Sequence, residues 1–464
     1  MKEIKTDLSL FLKLAEELLS LEQSEPVSAR VDPERLEQYD VLKLNDNGIP
    51  ESELTEALRL LIRDTPKTSG TRFFNQLYGG RVSKSVLGEL LSVLLNTSMY
   101  TYKVAGVQVG IEKEVIRKSL DLIEFPENAD GAFAPGGSLS NFMALVIARD
   151  RALNQGVPIT KLTAYTSETS HYSVPKNIRF AGLKNTNLRK IAVDESGSML
   201  PGALEEAIAG DVNNGLYPFF INATAGTTVT GVFDPIEPIA QVAKKYSLFL
   251  HVDGAYSGAV IFSEKYRSLI RGVHHADSFS YNAHKMPGTP ITCSLLLVKN
   301  GQELIESFGS EADYLFQTDT DELNPGKKSM QCGRRNDALK LWTLWKSVGT
   351  RGMGELVEQR FEMADYARRV LNANTDFKVF DFGTSASVCF NYKDYDPVKL
   401  CEALYRSGRL MVSHGRVGEE NGIRLVTVNA GITTNDIDDF FSILIDFAEA
   451  HPSMRRVSGS VCVE

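Results

Sequence analysis

The hydrophobic pattern changes period along the chain, and each change marks a different kind of element. From Asp7 onward Phe11, Leu14, Ala15, Leu18 and Leu19 recur at helical spacing, which predicts an amphipathic helix with one face to bury. A terminal helix of this kind often packs on a second subunit. Ser24 to Gly48 is polar and holds two prolines, so it reads as a connector, and Glu51 to Asp64 returns to amphipathic spacing. Helical patterns recur from about Ser83 to Leu95 and from Val109 to Leu122.

The middle of the chain alternates. Near-continuous apolar runs at Leu162 to Ser167, Leu188 to Val193, Tyr217 to Thr224 and Leu248 to Asp253 are separated by helical stretches beginning after His171, Leu200 and Asp234. Short runs around Phe279 and Tyr281 and at 293 to 299 complete the series. Buried strands alternating with helices predict a parallel or mixed sheet covered on both faces. The polar segment from Ser310 to Lys328 has no sustained period and reads as a loop. Helical patterns at 332 to 349 and from Gly354 to Leu371 lead to strands at Val388 to Tyr392, Leu410 to Ser413 and Ile423 to Val428, and a last helix follows Asn435. The predicted division is an N-terminal helical arm over 1–70, a large α/β domain over 71–350 and a smaller C-terminal α+β domain over 351–464.

Composition narrows the class. A chain of 464 residues, 43% hydrophobic and 23% charged, can bury a large core. Its net charge of -9 argues against nucleic acid or an anionic membrane as the main partner. The five cysteines are scattered without a CxxC pair, so neither a disulfide framework nor a metal site is expected. No apolar run reaches membrane-spanning length and the N-terminus lacks a signal-peptide pattern, so the expectation is a cytoplasmic protein.

Candidate chemistry gathers where the predicted strands end, which is where ligands sit in such sheets. One strand ends at Asp253 in HVDGAYSG, and the next leads to His284 and Lys285 in SYNAHK. An acid and a lysine so delivered are what pyridoxal phosphate requires. The lysine forms a Schiff base with the aldehyde, and the acid keeps the pyridine nitrogen protonated. A lone lysine after a strand is more often solvated, so the surroundings carry the reading. They include His171 in SETSHYS, Thr224, Thr227 and Thr228 in ATAGTTVTG, and Ser138, Ser140 and Asn141 where PGGSLSN opens a helix. Free N–H groups at a helix start can cradle a phosphate, although Ser138 could equally be an ordinary cap. His171 could stack on the cofactor ring, and Thr228 or His284 could reach the phosphate. In TRFFNQLYGG the aromatics could be core, or Gln76 and Tyr78 could line a substrate pocket. Arg424 could clamp an anion or form a surface ion pair, and Tyr314 could deliver a proton from the long loop.

Taken together, RFFNQLYGG, YTYKVAG, PGGSLSN, SETSHYS, ATAGTTVTGVFDP, HVDGAYSG, NAHKMPG, YLFQTD and QCGRRND resemble, in order, the group II pyridoxal phosphate decarboxylases. The resemblance runs from Thr71 to the end and is strongest to the acidic branch, which acts on glutamate, cysteine sulfinate or aspartate. It implies the type I, aspartate aminotransferase-like fold: a large, doubly wound, mostly parallel sheet domain with a smaller α+β domain. It also implies pyridoxal 5'-phosphate as cofactor and a homodimer with active sites at the interface. By position, Lys285 is the Schiff-base lysine, Asp253 pairs with the ring nitrogen, and His171 and Ala255 cover the two ring faces. Ser138, Leu139, Ser140 and Asn141 lie near the phosphate, assisted by Thr228 and His284. Tyr314 matches the loop tyrosine that returns a proton to Cα, and Gln76 with Arg424 matches the pair that holds the distal acidic group.

Tyr78 stands where glutamate-type relatives carry a small residue, which favours aspartate, cysteine sulfinate or cysteate over glutamate. The chain departs from glutamate-type relatives at Lys103 and Gly106 in YTYKVAG and from many relatives at Ala283 in NAHK. Transamination or β-elimination would keep Lys285 and Asp253 without needing Tyr314. A non-catalytic binding protein on this fold would be expected to have lost the lysine or the acid.

Overall fold

The computed structural model describes residues 2–24, 26–309 and 320–456. Twelve strands are present among them: β1 (Phe73–Phe74), β2 (Asp130–Ala134), β3 (Leu162–Ser167), β4 (Leu188–Ile191), β5 (Tyr217–Thr224), β6 (Phe249–Gly254), β7 (Ser278–Asn282), β8 (Ser294–Val298), β9 (Phe377–Phe380), β10 (Ser387–Tyr392), β11 (Met411–Val417) and β12 (Glu420–Val426). They form a seven-stranded sheet ordered β2-β8-β7-β6-β5-β3-β4 and a five-stranded sheet ordered β1-β11-β12-β10-β9.

In the larger sheet β4, β3, β5, β6 and β7 run parallel, and β8 is antiparallel to both β7 and β2. The chain's connections explain this pattern. Helices Ser173–Phe180, Pro201–Asn213 and Ile236–Tyr246 cross between parallel strands, whereas β7 reaches β8 through a helix-free connection that only reverses direction. Helix Gly137–Asn154 lays Met143, Ala144, Ile147 and Ala148 against Ala132, Leu162, Ala164, Phe220 and Leu296 in one buried cluster. The result is the α/β fold expected, with a mostly parallel principal sheet.

The chain divides into two compact units. One comprises 1–80, 366–380 and 388–464, and the other 81–365 and 381–387. The sequence reading drew three consecutive segments instead. The difference has a simple cause: β1 pairs in parallel with β11, Phe73 opposite Met411, so the amino-terminal segment is stitched into the smaller sheet. The helical run Asp337–Asn372 is interrupted at Gly349, whose φ of 70° breaks it where the sequence reading ended one helix and began another. No helix among the described residues is long and apolar enough to cross a membrane.

Candidate active site

Because β2, β3, β5, β6 and β7 all run the same way, their carboxyl ends share one edge of the larger sheet. The segments leaving that edge line a single cavity. Ser138 and Asn141 come from the helix after β2, His171 follows β3, Thr224 ends β5 and Thr228 follows it, Asp253 lies at the end of β6 with Ala255 just beyond, and His284 and Lys285 follow β7. Eight residues of the expected cofactor set therefore meet in one place. Leu139 and Ser140 are not among the lining residues. Their N–H groups donate to the Gly136 carbonyl at 3.0 and 3.1 Å, and the Ser140 side chain is buried. The first-turn N–H groups of Gly137 and Ser138 are those left at the helix end.

Asp253 is the buried carboxyl group of the site. Its Oδ2 accepts from Asn141 Nδ2 at 2.6 Å, and its Oδ1 accepts from the Ala255 N–H at 3.0 Å. The Asn141 amide, expected near a phosphate, is thus spent on Asp253.

Lys285 sits in a turn in which its N–H donates to the Asn282 carbonyl at 3.2 Å. Beside it, His284 Nδ1 accepts the Cys293 N–H at 3.0 Å. Nδ1 also lies 3.1 Å from the Cys293 carbonyl oxygen, and burial, then the Lys285 charge, pushes the His284 imidazole down to about 4, so near neutral pH it is uncharged. His171 is fixed similarly, with Nδ1 accepting the Ser173 N–H at 3.2 Å and lying 2.7 Å from the Ser173 hydroxyl. Burial lowers its pKa, Asp253 raises it and Lys285 lowers it again.

The loop after β5 is held from behind by Asp234, which is 1% exposed and accepts the Thr224 and Met199 N–H groups at 2.7 Å each. Desolvation raises its pKa to about 6. Asp234 belongs to the ATAGTTVTGVFDP motif, yet the sequence reading gave it no role.

The residues present fit pyridoxal phosphate. Thr224 Oγ1 and Asn282 Oδ1 line the cavity but are buried without a hydrogen-bond partner among the described residues, a costly state that a polar ligand relieves. A Cβ on Gly137 would come within 2.8 Å of both the Ala255 Cβ and the Asn282 Nδ2, so the helix start is open only because it is glycine. Tyr172, Tyr256 and Asn282 also line the cavity. Sequence reasoning missed them, although each adjoins a residue it had named or quoted.

The remaining candidates are not among the described residues that line this cavity. Gln76, Tyr78 and Arg424 belong to the unit containing the smaller sheet. There Arg424 Nε donates to Ser413 Oγ at 3.0 Å and its Nη2 to the Asn75 carbonyl at 2.7 Å, which brings the guanidinium beside the residue preceding Gln76. Gln76 is exposed, and the Tyr78 ring packs 6.1 Å from Phe73. Tyr314 lies outside the described residues.

Residues 33–393 match the family model described as the pyridoxal-dependent decarboxylase conserved domain. The chain is 37% identical over 448 residues to human cysteine sulfinic acid decarboxylase, covering 89% of this chain and 90% of that protein. It is 35% identical over 436 residues to human acidic amino acid decarboxylase GADL1, covering 88% and 83%. Mouse CSAD, solved in the apo form, matches with a TM-score of 0.90 at 31% identity over 96% of this chain and 98% of that one. Oryza sativa TDC, solved with PLP and tryptamine, gives a TM-score of 0.91 at 22% identity over 98% and 99%, a likeness of fold alone.

Proposed function

We propose that this chain, which belongs to the pyridoxal-dependent decarboxylase family, removes the α-carboxyl group of a small acidic L-amino acid, with aspartate, cysteine sulfinate or cysteate ahead of glutamate. Its cofactor is pyridoxal 5'-phosphate. The observation that carries the reading is the convergence of Lys285, Asp253, His171 and the Gly137–Asn154 helix start on one cavity.

Lys285 is the residue that would hold the cofactor covalently. The first-turn N–H groups of Gly137 and Ser138, with the side chains of Thr228 and His284, would hold its phosphate. His171 and Ala255 are assigned to the two faces of its ring, and Asp253 to the ring nitrogen. When bound, pyridoxal phosphate supplies an electron sink for the pair left behind as carbon dioxide departs. Asp253, oriented by Asn141 and the Ala255 N–H, would hold the ring nitrogen. Tyr314 is assigned the proton returned to Cα.

Arg424, with Gln76, is assigned to the distal acidic group. The Asn75 carbonyl and Ser413 hydroxyl hold its guanidinium, which supports a fixed anion clamp rather than a swinging surface charge. A tyrosine at 78 shortens the room for the substrate, and a methylene of difference is worth about 1 to 3 kcal/mol. A homodimer is supported by helix Ser83–Leu95, on which Leu87, Leu90, Leu91, Val93, Leu94 and Leu95 are 38 to 54% exposed. We place the active sites at its interface and the enzyme in the cytoplasm, a reducing compartment that suits the free Cys293, Cys332, Cys389 and Cys401.

The test is carbon dioxide release from aspartate, cysteine sulfinate, cysteate and glutamate with added pyridoxal phosphate, compared with Lys285→Ala. Lysine-dependent release favouring the shorter acids is the expected result. Faster turnover of glutamate would overturn the Tyr78 argument, and no release from any of the four would overturn the acidic substrate class.

A further inference from the structure

Two residues before Asp253 on β6 lies His251, completely buried and outside the cavity lining. Strand alternation puts His251 and Asp253 on the same face. Their partners across β7 are Ser278 opposite His251 and Ser280 opposite Asp253. Asn141, from the first turns of helix Gly137–Asn154, reaches the same place. The three elements thus bring together one imidazole, two hydroxyls, one amide and one carboxylate.

With the Asn141 Nδ2 turned toward Asp253, the other bonds among them follow. His251 Nε2 lies 3.0 Å from Asn141 Oδ1, and Ser280 Oγ donates to that same oxygen at 3.1 Å. An amide oxygen only accepts, so His251 carries its proton on Nε2. Nδ1, 2.8 Å from Ser278 Oγ, then accepts the serine proton. Burial depresses this imidazole to about 4, so near neutral pH it holds one proton and its tautomer is set by its neighbours. With its oxygen facing two donors, the Asn141 amide can turn only Nδ2 toward Asp253, where the bond is 2.6 Å. A flipped amide would set its oxygen against the carboxylate, and would require His251 to carry its proton on Nδ1 and Ser280 to accept.

We propose that His251 is a positioning residue which, by fixing the orientation of the Asn141 amide, aims the Asp253 carboxylate at the cofactor's ring nitrogen. Every proton in the chain from Ser278 through His251 and Asn141 points toward Asp253. The relay therefore delivers a dipole and moves no proton. It rests on the reading of Asp253 given above, and the experiment separates the two.

The experiment loads the protein with pyridoxal phosphate carrying 15N in its ring and reads the ring 15N chemical shift, alongside the cofactor dissociation constant and the melting of the cofactor-free protein. In wild type the shift should report a protonated ring nitrogen. Asp253→Asn should move it toward the unprotonated value; an unmoved signal there would overturn the assignment of Asp253 itself. If that variant moves the signal, His251→Leu should move it in the same direction and weaken cofactor binding about tenfold, the scale of one lost buried hydrogen bond. His251→Gln, whose amide N–H can replace Nε2–H, should restore both. A folded His251→Leu with wild-type shift and affinity overturns the relay while leaving the Asp253 assignment intact. Should His251→Leu fail to fold, Ser278→Ala decides: a displaced signal supports the relay, and an unmoved one overturns it.

Discussion

The buried ion pair between Arg334 and Glu112 offers the sharpest energetic test. Arg334 Nη1 and Nη2 meet Glu112 Oε2 and Oε1 at 2.8 Å each, with the residues 5% and 1% exposed. The pair ties the segment around residue 334 to helix Val107–Leu122, and Asn336 and Gln108 bond alongside at 3.1 Å. Removing either partner leaves a buried charge unmatched, at a cost of about 3 to 5 kcal/mol. With an unfolding entropy of about 2.1 cal/mol/K per residue, a unit of roughly 290 residues shifts by about 1.6 °C per kcal/mol. Arg334→Met and Glu112→Leu should therefore each melt about 5 to 8 °C below wild type. The double variant replaces two desolvated charges by packed hydrocarbon and should return to within about 1 kcal/mol of wild type, or exceed it. Differential scanning calorimetry at saturating pyridoxal phosphate keeps ligand linkage equal across the four proteins. An exposed control is at hand in Arg59 and Glu17, 44% and 39% exposed, where loss of the pair should cost less than about 1 kcal/mol. Single variants at 334 and 112 that cost no more than that control, or a double variant as unstable as the singles combined, would refute the reasoning.

Gly137→Ala should weaken pyridoxal phosphate binding about tenfold or more, since the added methyl meets Ala255 and Asn282 and overpacking costs about 1 to 3 kcal/mol; equilibrium dialysis measures it, and unchanged affinity would contradict the cradle. The pH dependence has a definite sign at His284. Its folded pKa is depressed to about 4 against about 6.5 unfolded, so its share of stability is present above pH 6.5 and is lost as pH falls toward 4. The wild-type advantage over His284→Gln should shrink by about 2 kcal/mol between pH 7 and pH 5 in urea titrations of the cofactor-free protein, and a constant difference would exclude a neutral buried imidazole. Tyr314→Phe should lose activity progressively during turnover and recover it with fresh pyridoxal phosphate, whereas steady wild-type rates would remove Tyr314 from the proton step.

How much of this was legible in the sequence depends on the reach of each interaction. Helices Glu51–Asp64 and Ser83–Leu95 match the periodic runs end for end. The punctuation there is local: Pro50 precedes one, and Asn96, at a left-handed φ of 46°, ends the other. The alternating middle gave up its strand ends, and with them most of the cavity, because parallel strands with crossover helices leave a ligand site in a foreseeable place. Strand β2 went unread because five residues containing Gly131 make too short a pattern to separate from the turn that follows. The orientation of Asn141 was out of reach for another reason: its partners His251 and Ser280 are more than a hundred positions away, and only tertiary pairing brings them together.

The pairing of β1 with β11 imposes an order on the making of this protein. Phe73 and Phe74, 2% and 1% exposed when folded, leave the ribosome more than three hundred codons ahead of Met411 and Val412, their strand partners. At about 5 to 20 residues per second, that interval is roughly 20 to 70 s. Every residue of the other unit is encoded between the two strands, so that unit can close while the amino-terminal segment still waits with its aromatic pair uncovered. During that wait the nascent chain presents an unsatisfied strand edge, which makes residues 71–80 the place where a chaperone has most to protect.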